Sequence, residues 1–63
     1  MSSPALARLV SLINAAEARG LKMGEIARIT GRPRSWLIQV RDGTTKNPGI
    51  VHVESAIRAL EIA

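Results

Sequence analysis

Hydrophobic residues recur along this chain at helical spacing, in segments that glycine-containing breaks separate. The first segment follows the i, i+3, i+4, i+7 pattern of an amphipathic α-helix. Its inward-facing positions are Leu6, Leu9, Val10 and Ile13. We predict a helix from Pro4 to about Arg19, and Gly20 suits the left-handed residue that commonly ends a helix.

Two shorter helical segments follow, joined by a tight turn. The pattern predicts one helix over residues 23–30, with Ile26, Ala27 and Thr30 on the same side. Gly31 suits a turn with positive φ, and Arg32 is biased away from helical ψ because Pro33 follows it. One helix therefore ends and the next begins within about three residues, which is typical of a helix-turn-helix.

The third helix is predicted from Pro33 to about Arg41, with two sharply different sides. Leu37 and Val40 face inward. The opposite side carries a guanidinium, a hydroxyl, an aliphatic side chain and a carboxamide: Arg34, Ser35, Ile38 and Gln39. These groups match what base edges present in the major groove of DNA. Trp36 lies at the edge of the inward side, where it can close the small core or serve as a contact.

The segment 42–49 is dense in turn-forming residues and predicts a loop. Thr44, Thr45 and Lys46 could hold phosphates beside a groove, although a plain solvated connection has the same composition. Residues 50–53 form a β-branched run that is consistent with a short extended segment or a wing strand. A last helix is predicted from about Val53 to Ile62, and Ile62 points outward as a candidate subunit contact.

The positive charge is concentrated in the middle of the chain. The net charge of the 63 residues is +4, and the stretch from Arg19 to Lys46 holds seven basic residues against Glu25 and Asp42. Such a distribution favours a polyanionic partner, although a solvated basic face is the simpler alternative. No uncharged run is long enough to span a bilayer and no signal peptide is evident, so we expect a cytoplasmic protein that associates with the nucleoid.

The spacing of the central stretch resembles that of the Cro/C1-type helix-turn-helix family of phage repressors and Cro proteins. The resemblance is carried by Gly20-Leu21, Ala27, Gly31, Leu37, Val40, Asp42-Gly43 and Pro48. It covers about residues 6–60 and implies a compact lambda-repressor-like domain of four, possibly five, helices. It also implies that Arg34, Ser35 and Gln39 read bases beside Ile38, and that repression follows from blocking polymerase at a pseudo-palindromic operator bound by a homodimer.

The same resemblance suggests where the backbone of DNA is held. The resemblance implies phosphate contacts at the start of the second helix, near Met23 and Gly24, and in the loop that contains Thr44 to Lys46. We also expect Lys22, directly before that helix, to contact a phosphate. Met23 departs from the family, which often places a phosphate-binding glutamine there. Arg32 departs as well, and we expect it to point at the DNA backbone. Many members pair an arginine of helix 1 with an acidic residue late in helix 3, and here Glu17 and Arg41 occupy similar places with the signs reversed.

Several other functions are disfavoured. Cysteine is absent, His52 is the only histidine, and no nucleophile with a base, P-loop or metal-ligand cluster is evident. We therefore expect no enzyme activity, cofactor, metal ion or small-molecule ligand, and treat His52 as a structural or helix-start residue. Two alternatives stay open: a winged-helix architectural DNA-binding factor, of the excisionase or terminase small subunit type, and a protein-binding module or antitoxin that uses Trp36, Ile38 and Ile62. We expect residues 1–63 to form a single all-α helix-turn-helix domain.

Overall fold

The computed structural model describes residues 4–45 and 47–63, and these ranges contain four α-helices. The helices are α1 (Pro4–Ala18), α2 (Met23–Thr30), α3 (Arg34–Asp42) and α4 (Ile50–Ile62). No β-strand and no fifth helix occur in the described ranges. The predicted all-α architecture with four helices is confirmed, and α2 has the predicted bounds. Helix α1 ends one residue earlier than predicted, and α3 begins and ends one residue later.

Residues 50–53 form the first turn of α4, so the predicted extended segment or wing strand was wrong. The Val53 N–H donates to the Gly49 carbonyl at 3.0 Å, which closes the first helical turn. Gly49 precedes the helix with φ +81°, a conformation that lets the loop enter the helix directly. Burial of Val53 outweighs the modest helix penalty of β-branched residues. The winged-helix alternative therefore lacks its wing at this position.

The end of α1 shows why the chain turns there. The Gly20 N–H donates to the Glu17 carbonyl at 3.0 Å, and the Leu21 N–H reaches back to the Ala16 carbonyl at 3.1 Å. Gly20 has φ +99°, which a residue with a Cβ rarely adopts. Leu21 packs against the core directly after this bond. The hydrogen bonds and the apolar contact together form the predicted helix stop.

All four helices contribute to one hydrophobic core. Its buried members are Leu9, Ile13, Ala16, Ile26, Leu37, Val40, Val53, Ala56 and Leu60. Helix α4 packs against α1 and α2, whereas α3 packs against α2 and α1 and makes no close backbone approach to α4 in the described ranges. Helix α3 therefore lies at the edge of the bundle and keeps a long side uncovered.

Among the described residues, no helix combines the length and the apolar character needed to cross a lipid bilayer.

Candidate nucleic-acid interface

The turn between α2 and α3 is closed by hydrogen bonds at both of its ends. Gly31 adopts φ +70°, as predicted, and its N–H donates to the Ala27 carbonyl at 2.9 Å. The Thr30 hydroxyl donates to the Ile26 carbonyl at 2.9 Å and accepts the Arg32 N–H at 3.3 Å. The backbone that leads into α3 is thus bonded directly to the end of α2, which fixes the direction in which α3 starts.

Helix α3 presents the predicted polar side chains to solvent. Arg34, Ser35 and Gln39 are exposed, while Leu37 and Val40 on the opposite side are buried. Within the described residues, none of the three exposed side chains has a hydrogen-bond or ion-pair partner. Their donors and acceptors are therefore available to a ligand.

The two apolar residues beside this face are both half-buried, which is less exposure than was predicted for Ile38 and agrees with the predicted place of Trp36 at the edge of the core. Ile38 lies between Arg34 and Ser35 around the helix and is half-buried. Trp36 is also half-buried, packs against the core, and donates its indole N–H to the Pro48 carbonyl at 3.3 Å. Trp36 closes the edge of the core and links α3 to the segment that precedes α4, so its ring is not a free contact surface.

The start of α2, where phosphate contacts were predicted, is occupied by a carboxylate. Lys22 and Gly24 are both exposed. However, the Lys22 N–H donates to the Glu25 carboxylate at 3.0 Å, and the Glu25 N–H donates to the Lys22 carbonyl at 2.9 Å. This reciprocal cap satisfies a donor that a phosphate would otherwise take and places a negative charge at the helix N-terminus. The Lys22 ammonium has no partner in the described ranges.

Arg32 has a neighbour that the sequence did not indicate. Its guanidinium Nη1 lies 3.1 Å from Nδ1 of His52, in the first turn of α4. The His52 ring also lies close to Gly49, where a Cβ would approach the ring Cδ2 to 3.0 Å. His52 is a helix-start residue, as predicted, and in addition it orients Arg32. The two residues are 20 positions apart, so no local pattern could show the contact.

The loop after α3 uses part of its hydrogen-bonding capacity internally. Thr44 donates its N–H to the Gln39 carbonyl at 2.9 Å and its hydroxyl to the same carbonyl at 3.4 Å. The Thr44 N–H is therefore not free to bind a phosphate. Thr44 is nevertheless exposed and Thr45 half-buried. The predicted contact of Lys46 falls outside the described residues.

The predicted pair between Glu17 and Arg41 is present. Arg41 Nη1 lies 3.0 Å from Glu17 Oε2, and Arg41 Nε lies 3.1 Å from Asp42 Oδ1. The hydrogen bond with Asp42 is the largest cause of a raised pKa of Arg41; burial opposes this rise, and the charge of Glu17 adds to it. Arg41 thus links the end of α3 to α1, and the two carboxylates compensate its positive charge.

Pairing of the acidic residues leaves most of the central positive charge uncompensated. Three of the five carboxylates are in ion pairs: Glu17 and Asp42 with Arg41, and Glu61 with Arg8. Glu25 caps α2, and Glu54 lies on α4. Exposed cations without an acidic partner in the described ranges include Arg19, Lys22, Arg28 and Arg34. The surface around α2 and α3 is therefore electropositive.

The described residues contain no cluster of three or more histidine, cysteine or carboxylate side chains that could hold a metal ion.

Comparison with known proteins does not assign the chain to a family. No protein-family model matches it, and neither the curated proteins nor the solved structures include a significant match. The geometry and charge of the site are thus the basis for a functional proposal.

Proposed function

We propose that this protein binds double-stranded DNA and reads sequence with α3 placed in the major groove, as a small transcriptional repressor of the Cro kind. The observation that carries the proposal is the outer face of α3. Arg34, Ser35 and Gln39 are exposed together, lack internal partners and follow a turn that fixes the helix direction. In such a groove Arg can pair with guanine O6 and N7, Gln with adenine N6 and N7, and Ser with either base.

The charge distribution supports a nucleic-acid partner over an uncharged one. A protein that neutralises several phosphates releases counterions, so its affinity falls steeply with salt. Here Arg28, Arg34 and Lys22 are exposed on or beside the two helices of the motif and have no acidic partner among the described residues. Arg32, oriented by His52, adds a fourth cation at the turn. We assign Arg32 to the DNA backbone.

The start of α2 is the weakest of the proposed phosphate contacts. The Glu25 carboxylate repels a phosphate there, and it already accepts the Lys22 N–H. We therefore place the backbone contacts on the Lys22 side chain, on Arg32 and on the loop with Thr44, Thr45 and Lys46. Gly24 contributes only if Glu25 moves away from the helix end.

We propose that the protein represses transcription by occupying its binding site on DNA. A homodimer on a pseudo-palindromic operator would place two copies of α3 in successive major grooves, about one helical turn apart. A dimer bound over a promoter blocks polymerase without catalysis or a cofactor.

Selection of bound sequences from random duplexes, followed by fluorescence anisotropy on the selected site, tests the proposal. Arg34→Ala should weaken binding to the selected site by about 1–3 kcal/mol and relax the preference at one base pair. Arg8→Ala is the matched control, because it also removes one positive charge but lies in an exposed pair with Glu61 on α1 and α4. We expect the control to keep the full sequence preference.

Two results would contradict the proposal. One is the absence of any complex with duplex DNA at low salt. The other is an equal loss for Arg34→Ala and Arg8→Ala on both the selected and a random duplex, because α3 would then contribute only net charge.

A further inference from the structure

The outward face of α4 packs against no other part of the chain that the structure describes. With about 100° per residue, Val51, Ser55, Arg58 and Ile62 lie within about 60° of one another, opposite the buried Val53 and Leu60. Val51 is 72% exposed and Ile62 is 81% exposed. The stripe thus has an apolar side chain at each end, about 16 Å apart along the helix axis.

Two charged residues on this face also lack an ion-pair partner among the described residues. Glu54 and Arg58 form no ion pair with each other or with any other described residue. Every other carboxylate of the chain either lies in an ion pair or caps a helix. Glu54 lies about 40° from Arg58 around the helix, on one flank of the stripe.

We propose that α4 pairs with α4 of a second copy of this chain, antiparallel about a two-fold axis between residues 56 and 57. In that register Val51 lies opposite the partner's Ile62, and Ser55 lies opposite the partner's Arg58. Both apolar ends are then covered at once, and the small Ser55 leaves room at the centre of the contact.

Charge complementarity selects this register. A two-fold axis perpendicular to the paired helices keeps each flank on the same side of the dimer. Glu54 therefore lies beside the partner's Arg58, which is one residue away from the position directly opposite it. The two-fold axis forms the equivalent pair between Arg58 and the partner's Glu54 on the same flank. A parallel pairing, about a two-fold axis along the helices, would instead move the partner's copy of this flank to the opposite side of the dimer, so Glu54 would lie away from the partner's Arg58. The face is self-complementary only when the helices are antiparallel.

The size of the contact sets the expected affinity. A helix of 13 residues is about 20 Å long, so two such helices form an interface below the standard size. We therefore expect weak self-association in free solution, with a dissociation constant of roughly 0.1 mM. This inference does not depend on DNA binding, and its test uses protein alone.

Sedimentation velocity of the full chain from about 10 µM to 1 mM, at low salt, is the experiment. Val51→Ser and Ile62→Ser should each weaken self-association about tenfold or more, because every dimer loses the side chain twice. Ile50→Ser is the matched control: Ile50 is 54% exposed on α4 but lies about 100° from the stripe. Self-association of the control should match that of the unmodified chain.

The charge pairs give a test that a general apolar surface would not pass. Glu54→Arg alone and Arg58→Glu alone each place like charges across the two-fold axis, so both variants should self-associate several-fold more weakly. An equimolar mixture of the two should form a heterodimer, because both crossed pairs are again attractive. Monomer alone at 1 mM for the unmodified chain would overturn the proposal, and so would a mixture that associates no better than its components.

Discussion

The hydroxyl of Thr30 offers the sharpest test of how the turn is held. The side chain is only 8% exposed, donates to the Ile26 carbonyl at 2.9 Å and accepts the Arg32 N–H at 3.3 Å. Thr30→Val keeps the shape of the side chain but removes both of these hydrogen bonds, and with them a longer one to the Ala27 carbonyl at 3.4 Å. The Ile26 carbonyl still accepts its helical partner, whereas the half-buried Arg32 N–H loses its acceptor.

The expected cost follows from these two losses. A hydrogen bond contributes a net stabilisation of about 0.5–1.5 kcal/mol, and a buried donor left without an acceptor adds to the cost when the partner is removed. Because Arg32 is partly exposed, water can accept a hydrogen bond from its N–H and so reduce this cost. We therefore expect Thr30→Val to lower the free energy of unfolding by about 1–2 kcal/mol. For a domain of this size that corresponds to a Tm lower by roughly 5–15 °C.

Thermal unfolding followed by circular dichroism measures this change, with Thr44→Val as the matched control. The Thr44 hydroxyl also donates to a backbone carbonyl, but at 3.4 Å and on an exposed residue, so the control should stay within about 0.5 kcal/mol of the unmodified chain. Amide hydrogen exchange adds a local measurement, since the Arg32 N–H should exchange faster in Thr30→Val alone. A Tm for Thr30→Val equal to that of the control would refute the role of the hydroxyl.

Three further predictions concern stability and use the same thermal assay. Gly31→Ala should lower the free energy of unfolding by about 1–2 kcal/mol, because an alanine there must adopt φ +70°. Gly24→Ala should be neutral or stabilising, because Gly24 lies inside α2 with open space where its Cβ would be. Equal effects of the two substitutions would contradict this prediction. Leu37→Ala should cost about 2–5 kcal/mol, since Leu37 is fully buried, and a Tm within 2 °C of the unmodified value would be inconsistent with that burial. Arg41→Glu should lower the Tm by placing three carboxylates together, and adding Glu17→Arg should recover part of the loss if the pair links α1 to α3.

Local sequence patterns predicted the helices well because each helix buries one face. Leu9 and Ile13 in α1, and Leu37 and Val40 in α3, were placed inward from spacing alone, and all four are buried. The pair of Glu17 with Arg41 was also predicted, from a family spacing with the signs reversed. The buried faces are set by helical period, whereas the Glu17–Arg41 pair joins positions 24 apart and was predicted only from the family resemblance.

Several other features that depend on tertiary contact were missed. Ile50 to Val53 is β-branched and looks extended in isolation, but burial of Val53 on the core draws the whole run into α4. The contact of Arg32 with His52 and that of Trp36 with Pro48 join distant positions, so no period could show them. The cap by Glu25 was also missed, but the sequence does contain a signal for it. Glu25 lies three residues after Lys22, the N-cap residue of α2, which is the spacing of a capping box.

The two surfaces proposed for DNA and for a second copy lie on helices that do not pack on each other, and we expect that both can be occupied together. Helix α3 presents Arg34 and Gln39 at the edge of the bundle, and α4 presents Val51 and Ile62 away from the core. The start of α4 connects the two surfaces. His52 contacts Arg32 there, and the segment that precedes α4 accepts the Trp36 indole N–H. A second copy seated on α4 is therefore tied through short, direct contacts to the orientation of α3. The spacing of the two reading helices would then be a property of the folded dimer, and DNA would select for it without having to create it.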